Sequence, residues 1–249
     1  MKKTAELYRM VMDTHVCPYG IKSKWLLEKA GYRVEDHHLT TREQTDAFKA
    51  EHGVKTTPQT FIDGERIGGH EALTRYLGKT VRDPDATSYR PVLAVFAVAA
   101  MLAITLSLGL LDGLTIRTVE WFVAFSMAML AMLKLQDVEQ FSTMFVGYDL
   151  LGRRFVPYAY AYPYLEALAA VLMAGHILPW LSIPVALFIG TVGAVSVFKA
   201  VYIDKREIKC ACVGGNSNVP LGFVSLTENL FMISMGLWMG VKALGWVVL

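Results

Sequence analysis

Cysteine is the scarcest chemically versatile residue in this chain, with only Cys17, Cys210 and Cys212 present. Cys17-Pro18-Tyr19-Gly20 has the form of a thiol-redox turn with glycine where the second cysteine is expected. A nucleophile is kept and its local resolving thiol is lost. A strand-like run, Ala5 to Met10, leads to this turn and a helix-like segment, Ile21 to Ala30, follows it, so Cys17 falls near a helix N-terminus. There the helix dipole and unpaired backbone N–H groups favour a thiolate. Pro18, Tyr19 and the turn itself argue for a reactive thiol over a buried structural one. Cys210 and Cys212 stand one residue apart in Lys209-Cys210-Ala211-Cys212-Val213-Gly214-Gly215-Asn216, a segment with the composition of an exposed loop. A disulfide between them would close a small strained ring, and strained disulfides exchange readily. Alternatively, two soft thiolates suit a soft metal such as Cu(I) or Hg(II).

The elements that must position these thiols divide sharply by composition. Residues 1–90 hold 28 of the 46 charged residues of the 249-residue chain. The remainder carries long apolar stretches near 91–111, 117–136, 157–178, 183–203 and 222–248, which approach or exceed the roughly 20 residues needed to cross a bilayer. Five spans are expected, all helical, because lipid offers no partner to an unpaired backbone group. The expected organisation is a soluble domain over 1–80, a polar linker over 81–90 and a membrane domain over 91–249. The N-terminus lacks the apolar run of a signal peptide, so the soluble domain is expected in the cytoplasm and the C-terminus outward, in the inner (cytoplasmic) membrane. Of the nine Lys and Arg residues after position 90, seven fall at cytoplasmic ends under that topology: Lys134, Arg153, Arg154, Lys199, Lys205, Arg206 and Lys209. Cys210 and Cys212 then face the same compartment as Cys17. A net charge of +2 gives no reason to expect a nucleic-acid partner.

Residues 1–79 read as strand, redox turn, helix, strand, helix, strand, strand, helix, with Asp63-Gly64 as a hairpin signal between Gln59–Ile62 and Glu65–Ile67. Cys17-Pro18-Tyr19, Thr56-Thr57-Pro58-Gln59-Thr60-Phe61-Ile62-Asp63-Gly64 and Ile67-Gly68-Gly69-His70-Glu71 together resemble the glutaredoxins. The resemblance implies an α/β thioredoxin-like fold, thiol-disulfide oxidoreductase activity and glutathione as co-substrate. It also implies a cis Pro58 against Cys17 and a Thr57 backbone that pairs with glutathione. Tyr19, Gly69, His70 and Glu71 would complete the glutathione site, with Lys22 or Lys24 for the glycyl carboxylate. Gly20 departs from the dithiol form, and His70-Glu71 departs from the usual residues after the paired glycines. Monothiol exchange through a second glutathione, or resolution by a thiol elsewhere, follows.

The Cys-x-Cys turn before the last apolar stretch, with Pro220-Leu221 and Glu228-Asn229 after it, resembles the MauE family of redox-associated membrane proteins, related to the DoxX group. That implies an all-α multi-pass bundle. The family is associated with methylamine utilisation, and a glutaredoxin fused to it implies a more general thiol-redox role. Within the spans Glu166, Glu228 and Asn229 are costly in lipid and are expected to form a polar cavity beneath the cysteine turn. Glu120 and His176 are expected at the outer interface, the tyrosines from Tyr158 to Tyr164 in an interfacial belt, and Asp137–Leu151 on the membrane surface. No metal or quinone motif is evident. The leading expectation is a membrane-bound, glutathione-linked thiol-disulfide oxidoreductase with relay from Cys17 to Cys210/Cys212, glutathione, the bilayer and a protein thiol substrate being its partners. The alternatives are soft-metal (mercury or copper) handling or transport through Cys210 and Cys212, and a membrane-anchored deglutathionylase.

Overall fold

The computed structural model describes residues 3–81, 83, 86–206, 208, 210 and 219–245. The chain divides into two compact units, Met1–Pro84 and Asp85–Leu249.

In the first unit, strand β1 (Thr4–Met12) alternates between two faces, burying Ala5, Leu7 and Arg9 on one side. It pairs in parallel with β3 (Arg33–Leu39) and antiparallel with β4 (Gln59–Ile62), which pairs with β5 (Glu65–Gly68) across Asp63-Gly64. A two-residue strand, β2 (His15–Val16), folds back on Val11 and Met12 and returns the chain to Cys17. Helix α1 (Pro18–Lys29) starts with proline at its first position, where the fixed φ is already helical and the missing N–H is no loss. Helix α2 (Arg42–Glu51) is capped by Thr41, whose Oγ1 accepts from Gln44 N at 3.2 Å. Helix α3 (His70–Tyr76) follows the paired glycines. Ala5, Leu7, Leu26, Leu27, Ile62 and Leu73 form the core between the sheet and helices α1 and α3. On the opposite face Tyr8 stacks on His37 and Phe48, with centroids 4.5 and 4.7 Å away. This mixed sheet with flanking helices is the expected thioredoxin-like fold.

The second unit is helical: α4 (Arg90–Leu110), α5 (Ile116–Leu135), α6 (Val138–Val146), α7 (Val156–Gly175), α8 (Pro179–Phe198, prolonged by a π turn to Ile203) and α9 (Phe223–Ala243). Four of these are long and apolar enough to cross a membrane: α4, α5, α8 with its π turn, and α9. The chain is a membrane protein. The expected fifth span, α7, is a 20-residue helix, but Tyr158, Tyr160, Tyr162, Tyr164 and Glu166 leave it too polar to stand with the other four. It buries Tyr158, Tyr162, Glu166, Ala170 and Met173 on one side and exposes Tyr160, Tyr164, Leu168 and Val171 on the other. The tyrosines do not form one interfacial belt. Tyr158 and Tyr162, four residues apart, turn inward against Phe145, while Tyr160 and Tyr164 face outward. Helix α6 occupies the segment expected on the membrane surface, yet Phe141 and Phe145 are buried against Tyr162. Helices α8 and α9 approach closely through glycine. A Cβ at Gly193 would lie 2.2 Å from Asn229 Oδ1, and one at Gly236 2.9 Å from the Leu187 side chain.

Candidate functional site

Cys17 is the N-cap of α1, with its backbone N–H donating to Met10 O at 3.1 Å across the β1–β2 hairpin. The hairpin lengthens β1 beyond the sheet and bends the chain so that the thiol arrives at the helix start. Cys17 is buried, unlike the exposed turn expected for it, while Tyr19 beside it is exposed. Tyr19 also forms one wall of an open groove of about 600 Å³, whose other walls include Thr57, Pro58, Gly69, His70 and Glu71. The Thr57–Pro58 peptide bond is cis. Gly68 adopts φ +114°, a region that a side chain would strain, and a Cβ on Gly69 would meet the Pro58 carbonyl at 3.5 Å. The Gly69 contact is an ordinary van der Waals distance, whereas a Cβ on Gly68 would crowd Ala72 Cβ at 3.1 Å.

His70 joins α3 to α1, its Nδ1 3.0 Å from Ser23 Oγ and its ring 5.8 Å from that of Tyr19. Burial and the nearby Lys22 charge hold His70 below the usual imidazole range, so it is neutral at neutral pH. Lys22 Nζ lies 5.6 Å from the Tyr19 ring centroid. Lys24 points to Asp36 at 2.9 Å.

Two residues absent from the sequence reading explain Gly20. Arg9 lies on the core face of β1 directly under α1, and a Cβ at Gly20 would stand 2.7 Å from Arg9 Cβ and 2.9 Å from its Cδ. Asp36 fixes Arg9 from β3, accepting from Nε at 2.8 Å and from Nη2 at 2.9 Å. Burial alone would raise the Asp36 carboxyl, but hydrogen bonds from Arg9, Lys24 and His38 outweigh it and hold it well below the usual carboxylate range. A depressed folded-state value stabilises the unit above the ordinary carboxylate value of about 4 and loses that contribution as the pH falls below it. The hydrogen-exchange protection factors of the β1 and β3 amides, taken relative to the intrinsic rate at each pH, should therefore fall on acidification through that window, and Asp36→Asn should flatten the dependence while lowering protection at neutral pH.

The helical unit holds a second polar centre. Lys134 of α5 donates to both Glu166 carboxylate oxygens of α7, at 2.8 and 2.6 Å, and to Glu228 Oε1 of α9. All three side chains are buried, and the Lys134 ammonium lies 5.6 Å from the Tyr162 ring centroid. Glu166 and Glu228 thus come together as expected, but around a cation and not an open cavity. Lys134, expected at the cytoplasmic interface, is the centre of the cluster. Asn229 donates to Ser225 O at 2.7 Å and fills the space that Gly193 leaves.

Cys210 lies beside this centre, and it is fully buried, contrary to the exposed turn expected. Backbone hydrogen bonds run from Cys210 N to Val219 O and from Leu221 N to Ile208 O, each 2.7 Å. Its Sγ is 3.0 Å from Ser225 Oγ, one helical turn before Glu228, and its apolar neighbours are Val92, Phe96, Leu133, Val219 and Val224. Cys212 lies outside the described residues. Among the described residues no group of three or more His, Cys, Asp or Glu could hold a metal ion.

At the opposite end of the α5, α7 and α9 helices, Glu120 is buried rather than interfacial. It accepts from Lys242 at 2.8 Å and Trp238 Nε1 at 2.6 Å, with Arg117 at 3.3 Å and His176 at 2.9 Å. This cluster ties α5, the C-terminal end of α7 and α9 together.

Residues 112–242, more than half of the chain, match the family model of methylamine utilisation protein MauE. The chain belongs to the MauE family. Its N-terminal unit is similar to glutaredoxin 1 of Rickettsia conorii, 42% identical over 60 residues that cover 23% of this chain and 59% of the relative. It is also similar to glutaredoxin 1 of Rickettsia prowazekii, 40% identical over 60 residues, covering 23% of this chain and 63% of the relative. The chain thus spans about three-fifths of the length of the curated relatives it matches. A glutaredoxin-like segment is fused to a MauE membrane domain, and the MauE match contains both Cys210 and the Lys134 cluster.

Proposed function

We propose that this MauE-family protein is a membrane-bound, glutathione-linked thiol-disulfide oxidoreductase in which Cys17 exchanges with glutathione and then with the Cys210/Cys212 pair. The observation that carries the reading is the groove of Tyr19, Thr57, Pro58, Gly69 and His70 beside a cysteine whose second-thiol position is glycine, filled from below by Arg9. The Cys17 thiolate attacks oxidised glutathione, forming a Cys17–glutathione disulfide and releasing one glutathione thiolate. A thiolate of the membrane pair attacks the Cys17 sulfur and releases the second glutathione. Its neighbour then resolves the interdomain bond, which leaves Cys210–Cys212 oxidised and Cys17 reduced. Two thiol protons and two electrons pass to one oxidised glutathione, giving two reduced molecules.

Within this reading Thr57 pairs its backbone with glutathione, Lys22 is the better placed partner for the glycyl carboxylate, and Gly69, His70 and Glu71 border the γ-glutamyl end. Helix α7 crosses the membrane with the other four, the N-terminal unit faces the cytoplasm, and the membrane is the inner one. Arg153, Arg154, Lys199, Lys205, Arg206 and Lys209 support that orientation without Lys134. Intact-mass analysis during anaerobic titration with oxidised glutathione tests the relay. The native chain should show a Cys17 adduct that gives way to an intramolecular disulfide, Cys17→Ser should show neither, and Cys212→Ser should accumulate the interdomain bond. A stable Cys17 adduct with the pair untouched overturns the relay and leaves an anchored deglutathionylase.

A further inference from the structure

Helix α8 has two unlike faces. Gly190, Gly193, Ser196 and Val197 turn into the bundle, and the two glycines lie against Asn229 of α9. On the opposite side Phe188, Thr191, Val192 and Val195, spaced i, i+3, i+4 and i+7, form a largely apolar stripe in which Phe188 and Val195 are half exposed. Because α8 is one of the helices long and apolar enough to cross a membrane, this stripe faces the bilayer.

The loop between α6 and α7 stands beside the stripe and is held there. Leu150 N donates to Ser196 Oγ at 3.0 Å, and the buried Asp149 turns inward, its Oδ1 accepting from Leu151 N at 3.0 Å and Gly152 N at 2.7 Å. Leu150, Leu151 and Arg154 of this loop and the stripe of α8 together enclose a groove of about 530 Å³. Arg154 is the one charged side chain among the described residues that line it. The neighbouring cations are already engaged: Arg153 donates to the Val146 and Gly147 carbonyls, Arg206 donates to Gly147 O, and Lys199 pairs with Asp204 at 2.7 Å. Among the described residues no carboxylate or carbonyl accepts from the Arg154 guanidinium, so an unneutralised cation borders an apolar groove.

We propose that this groove holds one anionic phospholipid, its phosphate on Arg154 and an acyl chain along the α8 stripe. The planar guanidinium can give two parallel N–H bonds to phosphate oxygens, a geometry that suits a headgroup better than a point charge does. The tie from Leu150 to Ser196 sets the loop, and Arg154 with it, at the C-terminal end of α8. From there the stripe runs back seven residues from Val195 to Phe188, about 10 Å along the helix, so the charge stands at one end of an apolar wall that leads into the bilayer. A zwitterionic headgroup offers the same phosphate but brings its own ammonium among the cations Arg153, Arg154 and Arg206, and this disfavours it. The inference goes beyond the thiol-exchange reading and uses none of its cysteines.

The test is native mass spectrometry of the full chain in a neutral detergent, titrated with phosphatidylglycerol or with phosphatidylcholine of the same acyl chains. The native chain is expected to retain its first phosphatidylglycerol about fivefold more tightly than its first phosphatidylcholine, the scale of one basic side chain on an anionic headgroup. Arg154→Gln should erase that preference. Lys205→Gln, the same loss of charge just beyond the same end of α8, should keep it. Thr191→Trp fills the groove with Arg154 in place and should weaken retention of both lipids. Glycerol 3-phosphate, a phosphate ester without acyl chains, should not displace phosphatidylglycerol. Equal retention of the two lipids by the native chain overturns the proposal, as does an equal loss of preference in Lys205→Gln and Arg154→Gln, which would mean a diffuse basic surface. Undiminished retention in Thr191→Trp, or displacement by glycerol 3-phosphate, overturns it as well. A failed interdomain disulfide in the glutathione titration leaves these measurements intact, so the two readings fail separately.

Discussion

Lys134→Met is expected to cost the helical unit about 3–5 kcal/mol, the scale seen when one partner of a buried ion pair is removed. The side chain lies between Glu166 and Glu228, which come from helices α7 and α9, and all three are shielded from solvent and lipid. Without the ammonium, two buried carboxylates face each other, and they must share a proton, draw in water or separate their helices. Methionine matches the length of the lysine stem, so little packing is lost and the charge carries the effect. Thermal unfolding in a fixed detergent, followed by tryptophan fluorescence, should show a large fall in midpoint. Adding Glu166→Gln and Glu228→Gln to the same chain removes the stranded charges and should recover most of the loss, because replacing a whole buried charge cluster is often near neutral. A Lys134→Met chain as stable as the native one would mean that the three groups do not share a dry site. The Glu120 cluster at the other end of the same helices is an internal control, since it touches none of these residues.

The contrast between what the sequence displays and what it hides follows from the range of each interaction. The β4–β5 hairpin around Asp63-Gly64 is written in local turn residues and is found where expected, whereas α1 starts at Pro18, three residues before the Ile21 at which the sequence pattern places it. Lys134, near the end of an apolar run, has the sequence signature of an interfacial residue. Only the arrival of Glu166, 32 positions away, and Glu228, 94 positions away, turns it into a core residue. The tyrosines of α7 show the same limit on a shorter scale. An interval of two wraps around a helix, and only the inward pair Tyr158 and Tyr162 is set by the four-residue helical neighbour rule. Cys210 reads as exposed from the glycine and asparagine after it, whereas its burial depends on backbone pairing with Val219. The second half of that motif, Cys212, lies outside the described residues. In the first unit Cys17 was legible from its own turn, but the reason for Gly20 was not, since it sits on β1 and β3.

Gly20→Cys is therefore not expected to convert the site into a working dithiol. The new Cβ would need the positions now held by Arg9 Cβ and Cδ, at 2.7 and 2.9 Å. Arg9 cannot simply swing away, because Nε and Nη2 are both bound to Asp36 and its stem is enclosed between the sheet and α1. Overpacking of this kind costs about 1–3 kcal/mol, which should appear as weaker hydrogen-exchange protection in β1 and α1. Under oxidised glutathione the variant should still carry glutathione on Cys17, with little intramolecular disulfide to residue 20. Adding Arg9→Gly, which removes the Cβ along with the stem, empties the space while leaving Asp36 its contacts with Lys24 and His38 at 2.9 and 3.2 Å. The double variant should regain protection relative to Gly20→Cys alone and should lose two hydrogens on oxidation in place of gaining glutathione. Because the two side chains compete for one volume, their effects must be strongly non-additive, and a double-mutant cycle measures that coupling directly. If Gly20→Cys closes its disulfide as readily with Arg9 present as without it, the arginine does not exclude the second thiol. If the coupling is found, monothiol behaviour is enforced by β1 as well as by residue 20, and Cys17 must look beyond its own helix for a resolving sulfur.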